Sequence, residues 1–212
     1  ELAALTSLAG TLLVQDNASL TTLELLSMTR TRGSVNVLNN EGMEALKLPK
    51  LVSVSGSVGI RNNNDIKAVT FPAVVTIGGD LSIIDNPALT ALDLSSLASV
   101  NRLQVDNNDT LVALDFPDLT SVVQSLTVKR GFALKSLSFP ELVEVGGEIE
   151  VKQHDSLISL TFPALQSAGN VLIAHNDYVE FIDLLVLTSV EQGLHIYHND
   201  ALTTFSVPQL TS

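Results

Sequence analysis

The stretch IKAVTFPAVVTIGGDLSIIDNPA, residues 66–88, recurs along the chain in degenerate copies and determines the expected fold. A second clear copy is LKSLSFPELVEVGGEIEVKQHDS, residues 134–156. Units of 22 to 23 residues begin at Leu20, Met43, Ile66, Leu89, Leu111, Leu134, Leu157, Val179 and Leu202. A fixed period of this length is typical of a solenoid, in which each coil packs against its neighbours. We therefore expect a single solenoid domain over residues 1–212 with about nine stacked coils.

Two short segments of each repeat alternate apolar and variable residues, which is the pattern of a strand with one buried face. The first segment reads L-x-I, as in Leu81-Ser82-Ile83, and the second reads L-x-F, as in Leu160-Thr161-Phe162. Stacking of the coils would place each segment in a parallel sheet of its own. No helix-period segment with capping residues stands between them. The predicted fold class is all-β, a parallel β-helix or leucine-rich-repeat-like solenoid.

Three other positions of the repeat mark corners of the coil. Pro follows the second segment in six repeats, where a strand end needs no backbone N–H. Gly precedes the first segment in four repeats, where the corner requires a positive φ angle or a close approach of two backbones. An Asn follows the inward Ile or Val by three residues, and stacked Asn amides can satisfy backbone groups at a turn. The predicted ladder contains Asn17, Asn40, Asn63, Asn86, Asn108, Asn176 and Asn199, and is interrupted by Gly131 and His154.

The composition limits the possible classes of function. The 212 residues include no Cys, which excludes disulfides, thiolate catalysis and Cys-based zinc sites. The formal net charge of −12 repels phosphate backbones and anionic membrane surfaces, so nucleic acid is not an expected partner. No window approaches the roughly 18 consecutive apolar residues of a membrane span, so we expect no direct membrane insertion.

With these columns, the repeat resembles that of the receptor L-domain superfamily, in particular the fungal cell-wall and cell-surface proteins of that group. The resemblance is carried by LTFPALQSAGNVLIAHN, residues 160–176, and FPAVVTIGGDLSIIDNPAL, residues 71–89, and it covers nearly the whole chain. It implies a right-handed β-helix related to leucine-rich repeats, an extracellular, cell-surface or cell-wall location, frequent glycosylation and no enzymatic activity. The cysteines that cap or flank L domains of animal receptors are absent here.

Two sequons for N-glycosylation occur in the repeat. The sequons Asn17-Ala18-Ser19 and Asn108-Asp109-Thr110 fall in the Asn column, where a buried amide cannot carry a glycan. We therefore interpret both as products of the repeat.

Both termini are ordinary repeat sequence without a polar cap, so we expect a segment of a longer protein or end-to-end self-association.

The outward positions of the first sheet form the expected binding face, because the core columns hold them on a regular lattice. One outward column runs Asn36, Gly59, Ser82, Gln104, Thr127, Glu150, Leu172, His195. Its neighbour runs Leu38, Arg61, Ile84, Asp106, Lys129, Lys152, Ala174, Tyr197.

The segment VKRGFALK, residues 128–135, is the most unusual stretch near this face. An exposed Phe132 beside Lys129 and Arg130 could anchor an anionic or carbohydrate partner, whereas the alternative is a decayed repeat in which the ring packs locally. The candidate binding residues are Lys129, Arg130, Phe132, Lys152, His175, His195, Tyr197 and His198.

A pair of His residues and a pair of Asp residues, each at equivalent positions of adjacent coils, suggest metal binding and catalysis as further alternatives. His175 and His198 share a column roughly 4.8 Å apart, but supply only two well-placed ligands for Zn²⁺ or Cu²⁺. Asp93 and Asp115 are expected to stack on the second sheet at a spacing suited to a retaining glycosidase, without long loops to form a cleft. We therefore predict no metal site, no cofactor and no catalytic residue.

The expected function is a non-enzymatic extracellular or cell-surface structural or adhesion module that presents a rigid sheet face to a protein or carbohydrate. Two alternatives stay open: a ligand-recognition domain of a receptor or surface filament, and a carbohydrate-active β-helix enzyme. Ice binding is disfavoured because Thr does not form a flat repeated column.

Overall fold

The computed structural model describes residues 4–212, which form a parallel β-solenoid of about nine coils. Residues 22 or 23 positions apart lie opposite each other, as Leu81 does with Leu103 and with Val58. Each coil contributes three strand segments, and equivalent segments stack into three columns. Within the described range no helix has the length and hydropathy needed to cross a membrane. The predicted all-β solenoid is confirmed.

The strands are numbered β1 to β24 along the chain. The first column carries the L-x-I segments: β2 Leu12–Gln15, β5 Val35–Leu38, β8 Val58–Arg61, β11 Leu81–Ile84, β14 Leu103–Asp106, β17 Leu126–Lys129 and the C-terminal parts of β19 Glu144–Lys152, β21 Ser167–Ala174 and β23 Ser189–Tyr197. The second column carries the L-x-F segments: β3 Thr22–Glu24, β6 Ala45–Lys47, β9 Ala68–Thr70, β12 Ala91–Asp93, β15 Ala113–Asp115, β18 Ser136–Ser138, β20 Ser159–Thr161, β22 Phe181–Asp183 and β24 Thr204–Ser206. The third column contains β1 Ser7–Leu8, β4 Arg30–Thr31, β7 Ser53–Val54, β10 Thr76–Ile77, β13 Ser99–Val100, β16 Ser121–Val122 and the N-terminal parts of β19, β21 and β23.

The columns join into three sheets. The first and third columns form one 15-stranded sheet, because β19, β21 and β23 run without interruption through the corner that separates these columns elsewhere. The second column is divided into a 4-stranded sheet, β12-β9-β6-β3, and a 5-stranded sheet, β15-β18-β20-β22-β24. The repeat pattern predicts the first two columns and misses the third, because a strand of two residues has no alternation to detect.

Inward side chains from all three columns fill one continuous core. Ile60 and Val69 are completely buried. Phe116, Phe139 and Phe162 stack with ring centroids 5.5 Å apart and ring planes within 2° of parallel. Because each coil adds one layer to these stacks, no coil can bury its apolar side without a neighbour.

The Asn ladder lies at the corner between the first and second columns. Asn63 Nδ2 donates to the carbonyl oxygens of Val37 and Arg61, both at 3.0 Å, and its Oδ1 accepts the backbone N–H of Asn40 at 3.0 Å. One side chain thus pairs three backbone groups that the turn removes from the sheet. The buried ladder is confirmed at Asn40, Asn63, Asn86 and Asn108. Parts of the pattern recur at the other Asn positions: the backbone N–H groups of Asn17 and Asn176 donate to the next Oδ1 of the ladder, and Nδ2 of Asn176 and Asn199 donates to a carbonyl oxygen of the preceding coil.

His154 continues the ladder, so the prediction that it interrupts the ladder is wrong. Its backbone N–H donates to Asn176 Oδ1 at 3.2 Å, and its side chain is completely buried. The ring nitrogens Nδ1 and Nε2 lie 3.2 and 3.1 Å from the carbonyl oxygens of Gly131 and Val128, and the Val128 carbonyl is the equivalent of the Val37 carbonyl paired by Asn63. At Gly131, which has no side chain, a cavity of about 10 Å³ remains beside Asn108 and His154, enough for about one water molecule.

The residue before each ladder position has a left-handed backbone, a feature that sequence analysis misses. Its φ angle lies between 51° and 62° at Asp16, Asn39, Asn62, Asp85, Asn107, Arg130, Gln153, His175 and His198. Asn and Asp tolerate this conformation better than most L-residues, which explains the recurrent Asn-Asn and Asp-Asn pairs.

No described Gly has a positive φ angle, so close backbone approach is the role of the corner glycines. A Cβ atom on Gly33 would lie 2.5 Å from the carbonyl carbon of Gly10, and one on Gly147 would lie 2.6 Å from the carbonyl oxygen of Gln124. A side chain at these positions would push adjacent coils apart.

Asn63→Ala tests the ladder. We expect the free energy of unfolding to fall by about 3 kcal/mol, because buried backbone groups of Val37 and Asn40 lose a partner at roughly 1–3 kcal/mol each. Urea denaturation measures the change. Asn64→Ala is the control, since Asn64 is exposed and its side chain forms no hydrogen bond within residues 4–212. Equal losses in the two variants would contradict a structural role for the ladder.

His154 should make stability depend on pH. Burial lowers the pKa of His154 below its ordinary value of 6.5, because desolvation of the charged ring outweighs the two neighbouring carbonyl groups. Below pH 6.5 the unfolded chain therefore binds a proton at His154 more readily than the folded protein does. The contribution of His154 to the free energy of unfolding is complete above pH 6.5 and is lost as the pH falls below that value.

We expect a loss of up to about 1.4 kcal/mol per pH unit in the free energy of unfolding, measured by urea denaturation at several values between about pH 7.5 and 5.5. His154→Asn should flatten this dependence, whereas the matched variant of an exposed residue, His198→Asn, should retain it. An unchanged slope in His154→Asn would show that another group is responsible.

Candidate functional site

The outward side chains of the first column form one face that crosses all the coils. Strand pairing places Asn36, Gly59 and Ser82 opposite one another, and it does the same for the neighbouring positions, Leu38 and Arg61 among them. The register continues to His195 and Tyr197 in β23. The face therefore has the two columns of side chains that the repeat predicts, and its chemistry changes along the solenoid.

In the middle of the face, the predicted cations are paired with carboxylates. Arg130 donates from Nε and Nη2 to the two oxygens of Asp106, at 2.8 and 2.6 Å, and Asp106 is only 3% exposed. Lys129 Nζ lies 3.6 Å from Glu150 and 3.9 Å from Asp106, and Lys152 also contacts Glu150. Three cations thus face two carboxylates.

The pKa values of these cations reflect the pairing. The hydrogen bond to Asp106 raises the pKa of Arg130, and the hydrogen bond to Glu150 raises the pKa of Lys152. An anionic partner would have to displace internal carboxylates to reach either charge, so this part of the face is a weak anion site.

Towards the C-terminal coils the face becomes aromatic. The rings of His175 and His198 stack with centroids 4.7 Å apart and planes 21° from parallel, close to the predicted spacing. The ring of Tyr197 meets both edge-on, at 5.7 and 5.4 Å. His195 lies in the adjacent outward column, opposite Leu172. Among residues 4–212, no three His, Cys, Asp or Glu side chains are grouped as a metal site requires.

Phe132 is exposed, and its ring forms no aromatic stack within residues 4–212. It follows Gly131 in the turn after β17, and the equivalent residues of the adjacent coils are Asp109 and Asp155. Arg130 instead directs its guanidinium to Asp106. The aromatic and cationic anchor stays a prediction, and both of its cations are already paired with carboxylates.

The N-terminal part of the face contains an open polar groove that sequence analysis did not single out. The groove has a volume of about 440 Å³ and lies over Gly59, between Asn36 and Ser82. Arg61 lines it and has no carboxylate within salt-bridge distance in the described part of the chain. The sequence does contain one signal of this groove: Gly59 stands in an outward column between the polar residues Asn36 and Ser82 of the adjacent coils.

Asp93 and Asp115 do not stack in one sheet as predicted. Their strands, β12 and β15, are the edges at which the second column divides into two sheets. Asp93 Oδ1 instead accepts the backbone N–H of Ser95 at 3.2 Å and its hydroxyl at 2.9 Å. Like charges at equivalent positions of adjacent coils disfavour strand pairing, which agrees with a break at this point.

The two sequons differ in exposure. Asn108 is buried, and its Nδ2 donates to the carbonyl oxygens of Ile83 and Asp106. Asn17 belongs to the ladder but is exposed, so the expectation of burial is wrong there. Its Nδ2 is bonded to the carbonyl oxygen of Gln15 at 2.8 Å.

The fold and this face define a parallel β-solenoid with one continuous, chemically varied sheet surface. Comparison with known proteins finds no matching family model, no matching curated protein and no matching solved structure.

Asp106→Asn tests the central ion cluster. We expect the free energy of unfolding to fall by about 2–3 kcal/mol, below the range for a fully buried pair because Arg130 is half-exposed. Thermal and urea unfolding measure the change. Asp115→Asn is the matched control, since Asp115 is exposed and forms no salt bridge within residues 4–212, and its change should be neutral. A neutral result for Asp106→Asn would show that the cluster does not hold these coils together.

Proposed function

We propose that this protein is a non-enzymatic structural or adhesion module of the cell surface or extracellular space, which presents the outer face of the first column to a protein or carbohydrate. The observation that carries the proposal is the unbroken register of this face from β2 to β23. Because the core fixes each strand, a partner meets side chains that are already in place, and little conformational entropy is lost on binding.

Binding is favoured over catalysis by the placement of the acidic residues. The carboxylates considered for glycoside cleavage, Asp93 and Asp115, belong to strands of two separate sheets. The buried carboxylate of Asp106 is held by Arg130. Neither arrangement leaves a pair of carboxyl groups on opposite sides of a cleft, as glycoside hydrolysis requires.

Membership of the receptor L-domain superfamily and an extracellular location are part of this proposal. Both rest on the resemblance of the repeat, and the coils of about 23 residues with a buried Asn ladder are compatible with them. The strongly negative net charge also disfavours nucleic acid as the partner.

A second candidate function is ligand recognition by a receptor or surface filament. It is favoured by the cluster of Tyr197, His175 and His198, because Tyr is enriched among the residues that dominate binding interfaces. In this case the partner would contact the C-terminal coils first.

Site-specific blocking of the two sheet faces tests the proposed function. The chain contains no Cys, so Thr127→Cys in the first column and Ser138→Cys in the second can each carry one bulky maleimide label. We expect binding to a glycan array or to intact cell surfaces to be lost with the label at Thr127 and retained with the label at Ser138.

Two outcomes would contradict the proposal. Equal effects of the two labels would show that the first column is not the binding face. Release of reducing ends from any bound oligosaccharide would show that the protein is an enzyme.

A further inference from the structure

The polar groove lies across β5, β8 and β11 on the outer face of the first column. Its volume of about 440 Å³ falls within the roughly 300–1,000 Å³ of small-ligand sites. The polar residues that line it include Asn36, Asn39, Arg61, Asn62 and Ser82. The groove is therefore large enough for a small ligand and has several hydrogen-bonding groups in its wall.

Gly59 forms the floor of the groove. The equivalent positions in the adjacent coils are Asn36 and Ser82, so the missing side chain leaves a depression between two polar residues. A Cβ atom on Gly59 would lie 3.0 Å from Asn36 Oδ1, which shows that the Asn36 side chain leans over this floor. A larger residue would fill the space that a ligand would occupy.

Two polar side chains in the groove lack partners within residues 4–212. Ser82 is only 5% exposed, and its hydroxyl forms no hydrogen bond there, although it lines the groove. The amide of Asn36 also forms none. Nearly buried polar groups are normally paired, so the Ser82 hydroxyl is suited to a hydroxyl group of a ligand, and the half-buried Asn36 amide can donate and accept beside it.

Arg61 adds a positive charge that no carboxylate of residues 4–212 approaches within salt-bridge distance. Its neighbours in the outward column are Leu38 and Ile84, neither of which can pair with it. The carboxylate at the edge of the groove, Asp80, is already bonded to Asn101 Nδ2 at 2.7 Å and lies 3.9 Å from Arg102. A free guanidinium matches a carboxylate through two parallel hydrogen bonds.

Beside Arg61, the left-handed column supplies further amides. Asn62 Nδ2 donates to Asn39 Oδ1 at 3.0 Å, which fixes both side chains at the rim. Asn62 Oδ1 remains available as an acceptor in the described structure. The groove thus combines one cation with amide and hydroxyl groups that can both donate and accept.

We propose that this groove binds an acidic sugar residue, with Arg61 on its carboxylate and Asn36, Asn62 and Ser82 on its hydroxyl groups. The proposal rests on the proposed function, in which this face binds a partner, and it specifies the class of that partner. A neutral sugar would leave Arg61 unused, and an acidic peptide would leave the hydroxyl-binding groups unused.

The test is an NMR titration of the full chain with galacturonic acid, and with its methyl ester as the uncharged counterpart. We expect shifts in the backbone amides of Gly59, Arg61 and Ser82. The ester should bind at least about tenfold more weakly, because charge-assisted hydrogen bonds are the strong ones.

Variants assign the contacts. Arg61→Gln should weaken binding of the acid by about tenfold and leave the ester unchanged, whereas Gly59→Val should abolish binding of both. Lys67→Gln is the control for net charge, since Lys67 pairs with Glu44 away from the groove. Circular dichroism verifies folding, and if Gly59→Val does not fold, Arg61→Gln decides the question alone.

Failure of this inference is separable from failure of the proposed function. Equal affinity for acid and ester, wild-type affinity in Arg61→Gln, or tighter binding of an acidic peptide would each overturn the acidic-sugar site. Shifts confined to residues around Tyr197 would also overturn it, while keeping the first column as the binding face. The proposed function itself would instead be contradicted if a label at Thr127 left binding to glycans and cell surfaces unchanged.

Discussion

Each coil leaves the first column through a corner whose backbone groups point into the solenoid, and side-chain amides pair them there. Without such partners, buried N–H and C=O groups would cost more than the adjacent aliphatic stacks could offset locally. An Asn amide supplies two donors and an acceptor in one short side chain, so a single residue completes the corner. His154 takes the same place because its Nε2 lies 3.1 Å from the carbonyl oxygen of Val128, the equivalent of the Val37 carbonyl that Asn63 pairs. Gly131 cannot, and a small cavity marks its position.

This corner also organises the surface. The preceding residue must adopt a left-handed backbone, which brings a second, exposed set of side chains alongside the outward columns. Asn39 and Asn62 lie at the rim of the polar groove for this reason, Arg130 reaches the carboxylate of Asp106, and His175 stacks on His198. The interior ladder and the chemistry of the outer face are therefore two consequences of one turn.

Much of the fold follows from local pattern. The alternation around Leu81 and Leu160 marks two strand columns, and the recurrence of Asn63 and Asn86 marks the corner, because stacking at a fixed period needs no long-range information. The third column and the division between β12 and β15 were not predictable in this way. The third column consists largely of strands of two residues, and the division falls between two strands that each end in an Asp, Asp93 and Asp115.

The candidate site shows the same limit. By itself, the sequence determined the core, the Asn ladder and the membership of each outward column, because all three repeat with the coil. Only the tertiary structure decided that the charges of Lys129 and Arg130 are compensated while Arg61 has no carboxylate partner within residues 4–212, and that Gly59 opens a groove between Asn36 and Ser82. The physical reason is that pairing and cavity formation depend on side-chain reach between coils, over distances that a period of 23 residues does not encode.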